Sequence, residues 1–400
     1  MDAGTREILD LVFRWIHVVA GIMWIGNSLL FNWLDRNLLS PAADKEGIQG
    51  DIWLLHSGAF YYVEKDLKGW DRSRPLHWFK WQAYTTWLTG AVLLGVVYYA
   101  SGGALLIDPA VANLSLTSAV ALSVGVLAGG WLLYDLVISR LLAQMGGAGA
   151  AIGLVLVVLV AFGLTRAFSG RAAFLHVGAL LGTLMAGNVL RVIMPSQRQL
   201  VAAVERGARP DPALAGRAKE RSIHNNYMTF PVVVLMLSSH FAGLYGHRLS
   251  WLLLGILVFS GAAVRHLLNI RFTYPQWRPA LAAVAVATLA GLYLLAARPA
   301  ASTAPVAHGL EPQRASFAQA QGVIDKRCTV CHSASPADRT FGIAPAGVAF
   351  DTPEQIRARA DRIWARAVET QTMPPANKTW ITPEEREILR RWIVQGAKAE

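Results

Sequence analysis

Eight long apolar stretches in the first 297 residues constrain the fold more than any other feature of the chain. They cover residues 11–34, 79–101, 115–138, 149–167, 172–194, 226–246, 249–270 and 277–297. Each can cross the roughly 30 Å hydrocarbon core of a bilayer, which takes about 20 helical residues. A segment that crosses lipid alone must satisfy its own backbone hydrogen bonds, so every stretch is predicted to be a helix.

The predicted fold class is therefore all-α, a polytopic transmembrane bundle of about eight helices followed by a small C-terminal domain. The composition agrees, since 54% of the residues are hydrophobic and only 16% are charged. We expect a transmembrane catalytic domain over residues 1–297, a linker over 298–314 and a second domain over 315–400. The linker is rich in Pro, Ala and Ser, as flexible tethers are.

The decapeptide RCTVCHSASP (327–336) contains the pattern C-x-x-C-H, formed by Cys328, Cys331 and His332. Two thiols at this spacing attach a haem covalently, and the next histidine then ligates the iron. A zinc site would need a second pair of ligands, but the chain has only two cysteines. A thioredoxin-like motif would need a βαβ context, which the sequence lacks. We therefore predict haem c.

Flanking residues favour a small cytochrome c domain around this motif. Residues 316–327 and 383–397 are predicted to be its first and last helices. Met373 lies between them in the proline-rich loop TMPPAN and is the candidate second axial ligand of the haem c iron. The alternative for Met373 is a core methionine.

The distribution of Lys and Arg predicts the orientation of the bundle. They concentrate in residues 35–78 and 195–225, which the positive-inside rule places in the cytoplasm. Both termini and the cytochrome domain then lie in the periplasm of a bacterial inner membrane, where c-type haem is attached. The net charge of +11 thus reports topology and contact with lipid rather than nucleic-acid binding.

Histidines within or beside the apolar stretches fall into two predicted layers. His17, His176 and His240 form an outer, periplasmic layer and are candidate iron ligands of an additional haem b. His77, His224 and His266 form an inner layer, where a polar pocket is expected. Polar groups inside membranes are costly and usually functional. The alternative is that these are ordinary histidines at helix ends near the interface.

Four blocks of sequence carry a resemblance to a known family: FRWIHVVAGIMWIGNSLLFNWLD, LHWFKWQAYTTWLTG, RSIHNNYMTFPVVVLMLSSHF and the terminal CTVCH…MPP. Together they resemble the membrane-bound bacterial urate hydroxylases, also called cytochrome c urate oxidases. The resemblance implies oxidation of urate to 5-hydroxyisourate with water as the oxygen source. Two electrons then pass through haem to the fused cytochrome c and on to a periplasmic cytochrome c or a terminal oxidase.

Urate is planar, anionic and rich in hydrogen-bonding groups, so its site needs cations, amides and aromatic faces. The candidate catalytic residues in the inner layer are His224, His77, Arg191, Asn225, Tyr227 and Lys80. His224 or His77 would accept a proton from urate or from the attacking water.

Two other functions stay open on the sequence alone. One is a conduit that oxidises quinol and reduces its own cytochrome c domain without urate chemistry. The strongly basic inner layer disfavours it, because a quinol site has few cations. The other is a haem-containing assembly or transport protein in which the cytochrome domain acts as a sensor.

Overall fold

Helices form most of the chain in the computed structural model, which describes residues 3–41, 45–109, 111–296, 314–338 and 344–398. The N-terminal part contains α1 (Ala3–Asn37), α2 (Lys80–Leu93), α3 (Leu116–Leu133), α4 (Ser139–Met145), α5 (Gly147–Thr165), α6 (Gly170–Asn188), α7 (Met194–Glu205), α8 (Pro212–Leu237), α9 (Ala242–Tyr245), α10 (Ser250–Ile270) and α11 (Trp277–Ala296).

Six helical segments of the described chain are long and apolar enough to cross a membrane, which indicates a membrane protein. They are Gly4–Asn37, Leu116–Leu141, Gly147–Thr165, Gly170–Glu205, Ser250–Ile270 and Trp277–Leu295. Each coincides with a predicted span. The two other predicted spans are also helical, in α2 and α8, but they are not among these six. Helix α8 begins with a charged half, which lowers its mean hydropathy.

Helix α6 lies at the centre of the bundle and is buried along most of its length. It packs against α3, α5 and α8, and α8 packs in turn against α10. Phe174 and Val177 are fully buried in this core. Helix α1 pairs with α2 at the edge, and most of its apolar side chains face outwards, as expected of a lipid-facing helix.

Three helices change from α to π geometry within the bundle. The π-helical segments are Leu94–Tyr99 after α2, Tyr134–Ile138 after α3 and Val189–Ile193 after α6. A π turn rotates the side chains that follow it and is often found at functional sites. Two of these segments supply polar residues to the site described below.

A β-hairpin interrupts the helical order between α1 and α2, so the all-α prediction is wrong for this segment. Strands β1 (Ile48–His56) and β2 (Ala59–Asp66) are antiparallel, with Trp53 opposite Tyr62. The connecting residues Ser57 and Gly58 both have positive φ, at 52° and 75°. Such a two-residue turn matches the twist of a hairpin.

The C-terminal module contains α12 (Phe317–Arg327), α13 (Pro353–Arg357), α14 (Ala360–Ile363) and α15 (Pro383–Val394). Helices α12 and α15 match the predicted first and last helices of this domain. The rings of Phe317 and Trp392 join them with centroids 5.8 Å apart. Arg327 also donates two hydrogen bonds to the Glu385 carboxylate. The predicted linker, apart from residue 314, lies outside the described residues.

Candidate functional site

A buried ion-pair cluster joins helices α6 and α8 to the π-helical segment after α3. Asp135 lies between two guanidinium groups, 3.3 Å from Nη2 of Arg221 and 3.5 Å from Nε of Arg191. Asp135 and Arg221 are each only 9% exposed. Arg221 also lies over the ring of Tyr134, 5.3 Å from its centroid. The negative charge of Asp135 thus compensates the buried cation.

Asn188 extends this cluster into a continuous hydrogen-bond network. Its Oδ1 accepts from Arg221 at 3.1 Å, and its Nδ2 donates to Asn225 Oδ1 at 2.8 Å and to the Tyr134 hydroxyl at 3.1 Å. The Tyr134 hydroxyl is 2.7 Å from Nδ1 of His224. These contacts define the Asn188 network, which consists of Tyr134, Asp135, Asn188, Arg191, Arg221, His224 and Asn225.

A second buried polar group, the Arg265 cluster, lies between α8 and α10. Asn226 Oδ1 accepts from Nε of Arg265 at 2.9 Å and from Nδ2 of Asn269 at 2.7 Å. The adjacent residues Tyr227 and His266 form a separate pair, with the hydroxyl 2.8 Å from Nδ1. Asn225 and Asn226 are consecutive, so α8 forms a wall shared by both polar groups.

The structure brings together three of the six predicted catalytic residues. His224, Asn225 and Arg191 belong to the Asn188 network. Tyr227 instead faces α10. His77 contacts Phe79 edge-on at 4.7 Å, and Lys80 lies over two tryptophan rings. Within the described chain, neither His77 nor Lys80 has a hydrogen bond or ion pair to this network, so the single inner pocket containing all six is not what the structure shows.

Sequence reasoning missed Asp135, Tyr134 and Arg265 as members of these clusters. Asp135 is the only acidic residue in the apolar stretch 115–138, and Arg265 lies within the stretch 249–270. Both are ionisable groups inside predicted spans, and this signal alone marks functional candidates.

The family model for the urate oxidase N-terminal region matches residues 3–297 of this chain. The chain belongs to the urate oxidase N-terminal family. No curated protein and no solved structure gives a significant match. Family membership indicates an oxidoreductase function related to urate. Both polar groups described above lie inside the matched region, whereas the C-terminal module lies outside it.

The three outer histidines of the urate oxidase N-terminal region have different surroundings. His176 is fully buried; its Nδ1 donates to the Ala172 carbonyl at 2.7 Å, and its Nε2 accepts from the Ser123 hydroxyl at 2.6 Å. The lone pair that would bind iron is therefore engaged in this structure. His240 is exposed beyond the end of α8.

His17 has the hydrogen bonding expected of a metal-binding histidine. Its Nδ1 is 2.8 Å from the Thr86 carbonyl oxygen, and no described residue bonds to its Nε2. Ligating histidines commonly hold their second nitrogen in this way. The shared outer layer and the haem b remain predictions.

The C-x-x-C-H motif follows α12 directly. His332 Nδ1 lies 2.8 Å from the Val348 carbonyl, which orients the ring and leaves Nε2 for a metal. Burial raises the pKa of Cys328 to about 12 and that of Cys331 to about 11. Both thiols are thus protonated at neutral pH, unlike those of a redox-active C-x-x-C. The donor set and its orientation fit a covalently attached haem.

A cavity of about 820 Å³ separates the C-terminal module from one end of the bundle. Met373 and Arg386 line it from the module, and Arg166, Arg171 and Trp251 line it from the membrane domain. Arg171 precedes Asn188 by 17 residues along α6, which is about 26 Å. The module therefore contacts the end of the bundle opposite the Asn188 network.

Proposed function

We propose that the protein oxidises urate to 5-hydroxyisourate in the polar layer formed by the Asn188 network and the Arg265 cluster. The electrons then pass to a haem c held by the C-terminal module. The observation that carries this proposal is the buried polar layer inside a urate oxidase family region, with a C-x-x-C-H module at the other end of the same bundle.

We further place both termini and the C-terminal module in the periplasm of a bacterial inner membrane. The module then delivers its electrons to a periplasmic cytochrome c or a terminal oxidase.

The proposed reaction balances without molecular oxygen. Water adds its oxygen to C5 of urate, and uric acid plus water gives 5-hydroxyisourate, two protons and two electrons. If urate enters as the monoanion, only one proton is released. The site must therefore accept a proton and stabilise the substrate anion.

His224 is the residue best placed to accept that proton. It is half-buried, and imidazole changes its charge near neutral pH. The Tyr134 hydroxyl fixes the orientation of the ring through Nδ1, and Asn188 fixes the hydroxyl. Asp135 keeps Arg221 and Arg191 in place without presenting a free negative charge to urate.

The C-terminal module supplies the ligands for the electron acceptor. Cys328 and Cys331 would attach the haem, with His332 and Met373 as axial ligands. When bound, a haem with these two ligands accepts one electron at a raised potential. Arg386 donates a hydrogen bond to the Met373 carbonyl at 2.9 Å and so fixes the methionine loop.

Anaerobic reduction of the purified full chain tests the proposal. Urate is expected to reduce the haem c in wild-type protein, and His224→Ala should slow the reduction at least tenfold while the haem content stays constant. Removing a positioned proton acceptor typically costs a factor of 10²–10⁴. His77→Ala is the matched control, because His77 is exposed and outside the network. A haem that stays ferric with urate contradicts the proposal.

A quinol-oxidising conduit is the second candidate, and one observation favours it. An apolar cavity of about 420 Å³ lies between α1 and α2, lined by Trp15, Met23 and Trp81 among others. Two of the residues that line this cavity, Trp15 and Ile16, directly precede His17 in the sequence. Reduction of the haem by a quinol, but not by urate, would support this function. A pyridine haemochrome spectrum of wild-type and His17→Ala protein would show whether haem b is also present.

A further inference from the structure

The Arg265 cluster contains a buried cation that has no acidic partner among the described residues. Arg265 is 5% exposed, and no carboxylate of the described residues lies within ion-pair distance. Arg36 and Arg271 add further positive charge nearby. By contrast, Arg221 is neutralised by Asp135. A buried guanidinium without a counter-ion calls for an anion.

Two atoms of this cluster are also buried without a hydrogen-bond partner. They are Nη2 of Arg265, which is a donor, and Oδ1 of Asn269, which is an acceptor. Asn269 is 3% exposed. Both side chains bind the same oxygen of Asn226, so the unused donor and acceptor belong to one small region. Buried polar atoms are almost always paired, so these two point to a ligand.

The chemistry of the two atoms selects the class of ligand. A phosphate could accept from the guanidinium and donate from a P–OH group to the Asn269 carbonyl oxygen, so the binding test below includes it. A single water could bridge both atoms, yet it would leave the charge of Arg265 uncompensated. A planar anion with a carbonyl beside an N–H group satisfies the donor, the acceptor and the charge together.

The packing of α8 against α10 holds the cluster rigidly. A Cβ atom at Gly261 would lie 2.9 Å from the backbone nitrogen of Pro231, so the helices touch one turn before Arg265. Glycine at this position allows the close approach, and Pro231 leaves no N–H that needs a partner there.

We propose that Arg265, Asn226 and Asn269 form the anion-binding site that anchors urate beside the Asn188 network. This inference rests on the proposed function for the identity of the ligand. It assigns substrate binding to Arg265 rather than to Arg191, which Asp135 already pairs. Asn226 directly follows Asn225 of the Asn188 network on α8 and faces α10.

Binding of urate to chemically reduced full-length protein tests the site without turnover, because a ferrous haem accepts no electron. Arg265→Gln and Asn269→Asp should each weaken urate binding at least tenfold. The new carboxylate at position 269 would form an ion pair with Arg265 and so compensate its buried charge. The Asn269→Asp variant should therefore fold even if Arg265→Gln does not. Ser260→Ala on the same helix, which loses a 2.7 Å bond to Thr288, should bind urate like wild type.

Equal urate binding by wild type, Arg265→Gln and Asn269→Asp would overturn the assignment. Binding of inorganic phosphate through Arg265 without binding of urate would also overturn it, as would binding of neither. If urate binds in an Arg265-dependent way but does not reduce the ferric haem, the anchor stands and the proposed function fails. Thermal midpoints and covalent haem content of each variant separate lost binding from lost folding.

Discussion

Replacing Asp135 by asparagine should destabilise the bundle, because it leaves the buried guanidinium of Arg221 without a carboxylate. Both side chains of this pair are 10% exposed, and their charged atoms lie 3.3 Å apart. Removing one member of such a pair costs about 3–5 kcal/mol of unfolding free energy. The Arg191 pair adds no more than about 1 kcal/mol, because the Arg191 side chain is 55% exposed.

A double-mutant cycle separates loss of the ion pair from general disruption. Arg221→Gln alone leaves Asp135 with only its exposed partner and should also be destabilising. The double variant Asp135→Asn/Arg221→Gln removes both buried charges and should regain about 2 kcal/mol relative to Asp135→Asn. Coupling energies for contacting residues reach about 3 kcal/mol. Unfolding of the detergent-solubilised protein is followed by circular dichroism at several denaturant concentrations.

Additive effects of the two substitutions would refute the argument, because additivity means that the two charges do not stabilise each other. An Asp135→Asn variant as stable as wild type would refute it as well. The control is Asp10→Asn, which removes the carboxylate that forms a solvent-exposed ion pair with Arg14 on α1. This substitution should change the unfolding free energy by less than about 1 kcal/mol.

Two further predictions concern packing and pH. Gly187→Ala should lower the unfolding free energy by about 1–3 kcal/mol, because the new Cβ would lie 2.0 Å from the Trp131 indole nitrogen. Gly182→Ala on the same helix is the control, because its Cβ would meet open space and should leave stability unchanged. Thermal unfolding of both variants measures the difference. Glu385→Gln should destabilise the C-terminal module by about 1 kcal/mol at pH 7, since it weakens a partly solvated bidentate pair with Arg327. Burial raises the pKa of Glu385, but the hydrogen bonds from Arg327 and from the Thr382 backbone, together with the positive charges of Arg327 and Lys326, outweigh burial and lower the pKa. The stabilisation is therefore complete above about pH 4.5 and is lost as pH falls further, so the difference in hydrogen exchange of α12 and α15 between variant and wild type should shrink as pH is lowered below 4.5.

The positions of the membrane helices could be predicted because span length and apolar composition are local properties. Six predicted spans coincide with apolar helices of the required length. The hairpin at residues 48–66 was not predicted, because the segment 35–78 was interpreted only as a basic loop. Ser57-Gly58, between segments rich in aromatic and β-branched residues, is nevertheless a recognisable turn signal. The haem motif is also local, since Cys328, Cys331 and His332 lie on one turn.

The arrangement of the polar side chains was decided by tertiary structure. Asp135, Asn188 and Arg221 come from three different segments, and no sequence separation reveals that they meet. Arg191 was predicted as a substrate-binding cation, but helix packing and two π-helical segments place it against Asp135 instead.

The sequence by itself determined where the long apolar helices lie and that the C-terminal part carries a C-x-x-C-H motif, because hydropathy and motif spacing are local properties. It did not distinguish a paired cation from an unpaired one. No role was predicted for Arg265 from the sequence, whereas its burial between α8 and α10 is the observation on which the proposed binding role rests. Whether a buried charge has a counter-ion depends on which side chains the neighbouring helices place beside it, and helix packing alone decides which side chains those are.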